Sequence, residues 1–128
     1  MGYRSQVTIV LKKETYQKHE NILREAMKGC DSIEQTDTAY YFSWDAVKWE
    51  TTFENVKVIE KVLSQCDEED YGFMRVGEEE NDLDTKGTPG EFNVFLERTI
   101  SSDTDKELDS EKFFSQNSVK YIKYDSKT

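Results

Sequence analysis

The sequence predicts an α+β fold, a two-layer sandwich with two helices packed on one face of a four- to five-stranded, mostly antiparallel sheet. Three observations predict it. Apolar residues alternate with period two in four separate stretches, the mark of strands with one buried face. In two others they recur every three to four residues, the mark of amphipathic helices. The order strand, helix, strand, helix, strand, strand places both helices as crossovers over a single sheet.

Gln6 to Leu11 sets Val7, Ile9 and Leu11 against Gln6, Thr8 and Val10, with β-branched residues throughout, and reads as a strand. From Lys12 to Lys28 the period changes: Tyr16, His19, Leu23 and Met27 share a face, and Lys13, Glu14, Lys18 and Glu25 oppose it. Gly29 follows where helices commonly end in a left-handed conformation. Asp31 to Thr38 is polar and reads as a connection.

Residues 39–50 hold both tryptophans, two tyrosines and a phenylalanine. Alternation puts Tyr40, Phe42 and Trp44 on one face, expected to lie beneath the helices. A two-residue hairpin at Asp45-Ala46 requires positive φ at both positions, which alanine resists. A kink or β-bulge is the favoured reading, re-aiming Val47 and Trp49, with the hairpin as the alternative. The hairpin version gives βαββαβ plus a strand, the ferredoxin-like order.

Thr51-x-x-Glu54 has the form of a capping box, and Phe53, Val56, Ile59, Leu63 and Cys66 make the stripe of a second helix. Tyr71 to Gly77 is a strand, with Tyr71, Phe73 and Arg75 opposite Met74 and Val76. Residues 85–90 have loop composition, and Glu91 to Ile100 returns to strand. Residues 1–100 are thus one α+β domain, and 101–128 an acidic linker and C-terminal tail whose late apolar residues suit an added edge strand.

Composition narrows the function. The 128 residues carry 17 basic and 27 acidic side chains, a net charge of −10. Such a field repels nucleic acid and anionic membrane and favours a partner with a basic surface. Only 35% of residues are apolar, so the core is small for the length. Two cysteines, Cys30 and Cys66, fall short of a disulfide framework or a four-ligand zinc site. The start carries no leader pattern, and no run reaches the ~18 apolar residues of a membrane span, so a cytoplasmic setting is expected.

Chemistry-bearing motifs are sparse. The one histidine, His19, has no nucleophile motif to serve, and an enzyme is not expected. Asp82-Leu83-Asp84-Thr85-Lys86-Gly87 opens like a calcium loop and then fails, with Lys86 at position five and Asn93 instead of glutamate at position twelve. Gly87-Thr88-Pro89-Gly90 is not a phosphate loop, and neither a metal nor a cofactor is expected. The candidate partner-binding residues are the acids of two runs, Asp67, Glu68, Glu69 and Asp70, then Glu78, Glu79, Glu80, Asp82 and Asp84, with Tyr41 and Trp49 as ring anchors. The alternative is a nucleotide-signal binder using Arg75, Arg98 and Trp44, gripping by guanidinium fork and ring stacking. Against it, Arg4, Arg75 and Arg98 are as well explained as neutralising nearby Glu78, Glu91 and Glu97. An unpaired strand edge at 92–100 would also allow a homodimer.

The opening Met1-Gly2-Tyr3-Arg4-Ser5, Trp44-Asp45-x-Val47-Lys48-Trp49, Tyr71-Gly72-Phe73-Met74-Arg75-Val76-Gly77-Glu78 and Leu96-Glu97-Arg98-Thr99-Ile100 together resemble a group of small acidic proteins encoded by tailed bacteriophages. The group has no established activity, so the resemblance carries over no catalytic residue. It implies a phage gene acting inside an infected bacterium, where small acidic proteins often block host defences or redirect host enzymes.

Overall fold

A computed structural model describes residues 4–79, 82–100 and 118–124; Glu80 and the 101–117 linker lie outside the described residues. Strand β1 (Ser5–Lys12) is followed by helices α1 (Lys13–Lys18) and α2 (Glu20–Ala26), strands β2 (Ser32–Gln35) and β3 (Ala39–Val47), and helix α3 (Glu54–Ser64). Strands β4 (Tyr71–Val76), β5 (Leu83–Gly87), β6 (Val94–Ile100) and β7 (Ser118–Tyr124) complete the order.

The main sheet has the order β2-β3-β1-β4-β5, antiparallel throughout. Its first four strands interlock two βαβ units as the ferredoxin-like arrangement does, and β5 adds an edge. The α+β sandwich expected from the sequence is therefore the observed fold.

The helical face of the sheet buries Val7, Ile9, Leu11, Phe42, Trp44, Tyr71 and Phe73 against Leu23, Ala26, Met27, Ile59, Val62 and Leu63. The opposite face, which the sequence reading left open, carries a second core. There Val10, Tyr41, Met74 and Val76 pack against Val94 and Ile122 of a separate β6-β7 hairpin. Strand 94–100 was expected in the main sheet; it pairs with 118–124 instead. The reason is that a sheet with apolar side chains on both faces needs two covers, and the helices supply one. Gln6 fastens the hairpin: its side-chain amide donates to the Ile122 carbonyl at 3.3 Å and accepts the Ile122 N–H at 2.8 Å.

Residues 39–47 form one strand with a bulge. Ser5 pairs with Val47 and Val7 with Trp44, so Asp45 and Ala46 together oppose the single Gln6. Beyond the bulge Trp49 turns back onto the core, its ring 5.3 Å from Trp44 and 6.0 Å from Phe73.

Four local expectations give way. The first helix breaks at His19, whose φ of −116° and ψ of 16° lie outside the helical range. The break lets Tyr16 pack 4.9 Å from Tyr40 and 5.4 Å from Phe42 while Leu23 enters the core on the next segment. The helical run ends at Ala26, and Gly29 is not left-handed; among the described residues only Gly87 and Asn93 have positive φ. Residues 32–35 and 83–87, expected as connections, are edge strands held through their backbones. Finally, α3 starts late: Phe53 is its N-cap, no side chain caps it, and Phe53 itself is exposed. Trp49, held in the core, leaves residues 50–53 to turn the chain, so Thr51 stands too far ahead to cap. Thr51→Ala is accordingly expected to change stability by less than ~0.5 kcal/mol in a urea titration, where losing a true N-cap costs about 1 kcal/mol.

Candidate acidic interaction surface

The two acidic runs sit at opposite ends of β4. Asp67 and then the single 3-10 turn Glu68–Asp70 precede it, and the turn after Val76 carries Glu78, Glu79 and Asp82. A strand of this length separates them by roughly 17 Å. They are two surfaces.

At the β4-β5 end, part of the charge is spent within the chain. Asp82 and Asp84 are two apart along an extended segment, so both carboxylates reach the same neighbour, Arg75. The Arg75 guanidinium bonds Asp82, donates to Asp84 at 2.9 and 3.1 Å, and donates to Ser5 Oγ at 2.8 Å. Burial pulls its pKa down, but the bonds to Asp82 and Asp84 outweigh it and leave the guanidinium above its ordinary value. Glu78 accepts the Arg4 N–H at 2.7 Å, and Glu79 is exposed. At the other end Lys12 pairs with Asp70 at 3.3 Å, while Asp67, Glu68 and Glu69 are exposed.

The expected ring anchors are not on the surface. Tyr41 is 4% exposed, stacked 4.9 Å from Tyr124 and donating its hydroxyl to the Phe92 carbonyl at 2.7 Å. It was expected to project from the far face, which the β6-β7 hairpin covers. Trp49 is half-buried, and its Nε1 donates to Glu60 at 2.9 Å; Lys86 bonds the other oxygen of that carboxylate at 2.7 Å. The pair ties α3 to β5.

The residues of the alternative ligand site are not brought together. Trp44 is buried beneath the helices and Arg75 is engaged by two aspartates. Arg98 stands on β6, in the hairpin across the sheet, and its side chain lies outside the described residues.

A cleft of about 400 Å³ is lined by Lys12, Glu69, Thr88, Glu91 and Phe92. A smaller recess of about 90 Å³ is lined by residues that include Lys18, His19, Cys66, Asp67 and Asp70. Burial pushes the Cys66 thiol up, and Asp70 pushes it further; Cys30 is raised by burial and then by Asp31. Cys66 Sγ donates to the Val62 carbonyl at 3.3 Å, so these surroundings favour the thiol over a nucleophilic thiolate. Among the described residues no group of three or more His, Cys, Asp or Glu could hold a metal ion. Among them, too, no helix is long and apolar enough to cross a membrane.

The sequence reading missed the acids of the β2-β3 hairpin. Asp31, Glu34, Asp37 and Asp45 are all exposed around an edge strand whose Ile33 is 59% exposed. The signal was available: from Gly29 to Val47 the chain has no lysine or arginine. Comparison with family models, curated proteins and solved structures finds no match for the chain.

Proposed function

We propose that the chain is a phage-encoded, non-enzymatic inhibitor or adaptor that binds a host defence or nucleic-acid-processing protein through that protein's basic surface. The observation that carries this reading is how the charges are spent. Lys12, Arg24, Lys28, Arg75 and Lys86 each pair with a carboxylate of the chain itself. Asp67, Glu68 and Glu69, with Asp31, Asp37 and Asp45 of the hairpin, face outward. Outward carboxylates in this number accelerate encounter with a basic partner and discourage nucleic acid. The phage source rests on the sequence resemblance.

The test uses the tagged chain to capture proteins from host extract, at low salt and at about 0.5 M, where the Debye length falls to a few ångströms. A basic partner retained at low salt and released at high salt is expected. Combining Asp67→Asn, Glu68→Gln and Glu69→Gln should slow its association about tenfold at low salt while stability stays within ~0.5 kcal/mol. Capture that ignores both salt and the triple substitution overturns the reading.

A further inference from the structure

We infer that the outer edge of β2 is a docking edge onto which a basic, extended segment of a partner protein adds as a further strand. The inference rests on the acidic-surface reading and specifies how the partner is held.

The sheet has two edges, and they are built differently. On β5, Lys86 bonds Glu60, Asp84 bonds Arg75, and Gly87 turns the chain away at a φ of +68°. Engaged charges and an early turn are the usual ways to keep an edge from pairing. β2 carries neither an ion-paired lysine nor a left-handed residue. Ser32, Ile33, Glu34 and Gln35 contain no lysine, arginine or proline, and all four are exposed. Among the described residues β2 pairs with β3 alone.

The register states which backbone groups face outward. Thr36 donates its N–H to the Ala39 carbonyl at 2.9 Å, closing the hairpin with a hydrogen-bonded pair. Bonded and non-bonded pairs alternate along an antiparallel ladder. With Glu34 opposite Tyr41 and Ser32 opposite Ser43, those two residues bond inward to β3. Ile33 and Gln35 therefore direct both N–H and C=O to the outer edge, a template for an incoming strand.

Charge selects the occupant. The hairpin bears Asp31, Glu34, Asp37 and Asp45 and no basic residue. Asp31 and Asp45 lie together at one end, where Asp31 Oδ2 accepts the Asp45 N–H at 2.6 Å; Asp37 is in the turn at the other. Lys13 meets the hairpin at the Tyr40 ring, 5.6 Å from its centroid. A second copy of the chain would set this acidic edge against its own likeness, whereas a segment rich in lysine or arginine is drawn to it. Ile33 pairs with Phe42 and so lies on the helical side of the sheet. The incoming strand should place an apolar side chain beside Ile33 on that side and a basic one beside Glu34 on the other, an alternating pattern.

The probe is a synthetic octapeptide of alternating lysine and valine, titrated into the full 15N-labelled chain. A second peptide of the same charge, N-methylated at alternate residues, cannot donate along one edge. Expected are shift changes centred on residues 32–35 and amide exchange at Ile33 and Gln35 slowed at least ~10-fold, as new ladder bonds require. Gln35→Pro removes an outward N–H and leaves the inward ladder, a position where an edge strand accepts proline. It should weaken the peptide at least ~10-fold, as should N-methylation, while the spectrum elsewhere stays native. Equal binding by Gln35→Pro overturns the inference. So do shifts confined to residues 67–70 and 78–84, which leave the acidic-surface reading standing. A dimer in sedimentation with Ile33 and Gln35 protected before peptide is added assigns the edge to a second copy and overturns it as well. Absence of peptide binding overturns the edge alone, because extract capture tests the acidic surface separately.

Discussion

Phe73→Ala is expected to lower unfolding free energy by about 4 kcal/mol, within the range for deleting a buried ring from a core. Phe73 is 1% exposed at the middle of β4, opposite Ile9 of β1 and Lys86 of β5. Its ring meets Trp49, and the Lys86 ammonium sits 5.1 Å above it. Removing it opens a cavity at the junction of both central strand pairs and the turn into α3, where rigid neighbours cannot close in. Total stabilities of ~5–15 kcal/mol make that a large fraction, and a chain with so few apolar residues has little to spare. Phe53→Ala is the control, since Phe53 is 41% exposed and its loss should cost less than ~1 kcal/mol. Urea titrations of the two variants check this, and equal midpoints would show that Phe73 does not anchor the core.

Gly87→Ala should produce the second large loss, through backbone geometry. Gly87 has a φ of +68°, and a Cβ there would stand 2.3 Å from the Tyr71 carbonyl oxygen. Left-handed backbone costs an L-residue roughly 1–2 kcal/mol, and overpacking adds ~1–3 kcal/mol. The carbonyl cannot step aside cheaply, because it accepts the Thr88 N–H at 2.9 Å and anchors the end of the β4-β5 pair. A loss of about 3 kcal/mol, or roughly 10 °C in Tm, is expected. Gly90→Ala adds a Cβ with nothing within 4 Å and should leave the melt almost unmoved. Thermal melts of the pair decide the point. If both variants melt with the wild type, the left-handed turn at Gly87 does not hold the edge.

The surface argument divides the expected acids by what they touch. Asp70, Asp82 and Asp84 are counter-ions to Lys12 and Arg75, so replacing them tests folding as well as binding. Asp67, Glu68 and Glu69 test the surface more cleanly because they are exposed. Tyr41 belongs to the second core, and its replacement would report on how the hairpin is held.

What the sequence by itself determined follows from burial repeated at a fixed period. Val7, Ile9 and Leu11, the Tyr40-Phe42-Trp44 face, Tyr71 with Phe73, and the Val56-Ile59-Leu63 stripe were legible because each side chain enters a core and must recur to do so. The bulge at Asp45-Ala46 was legible because alanine resists the hairpin turn. Tertiary structure decided what no period encodes. Strands β2 and β5 bury no apolar side chain, so no burial pattern marks them. The Thr51 capping box lost to the packing of Trp49, a long-range term stronger than a local one. The β6-β7 hairpin took the second face because the apolar side chains there had no other cover. An acidic surface was legible as composition. Which carboxylates serve as counter-ions within the chain was decided only when folding brought Lys12 to Asp70 and Arg75 to Asp82 and Asp84, since charge pairs form between neighbours in space.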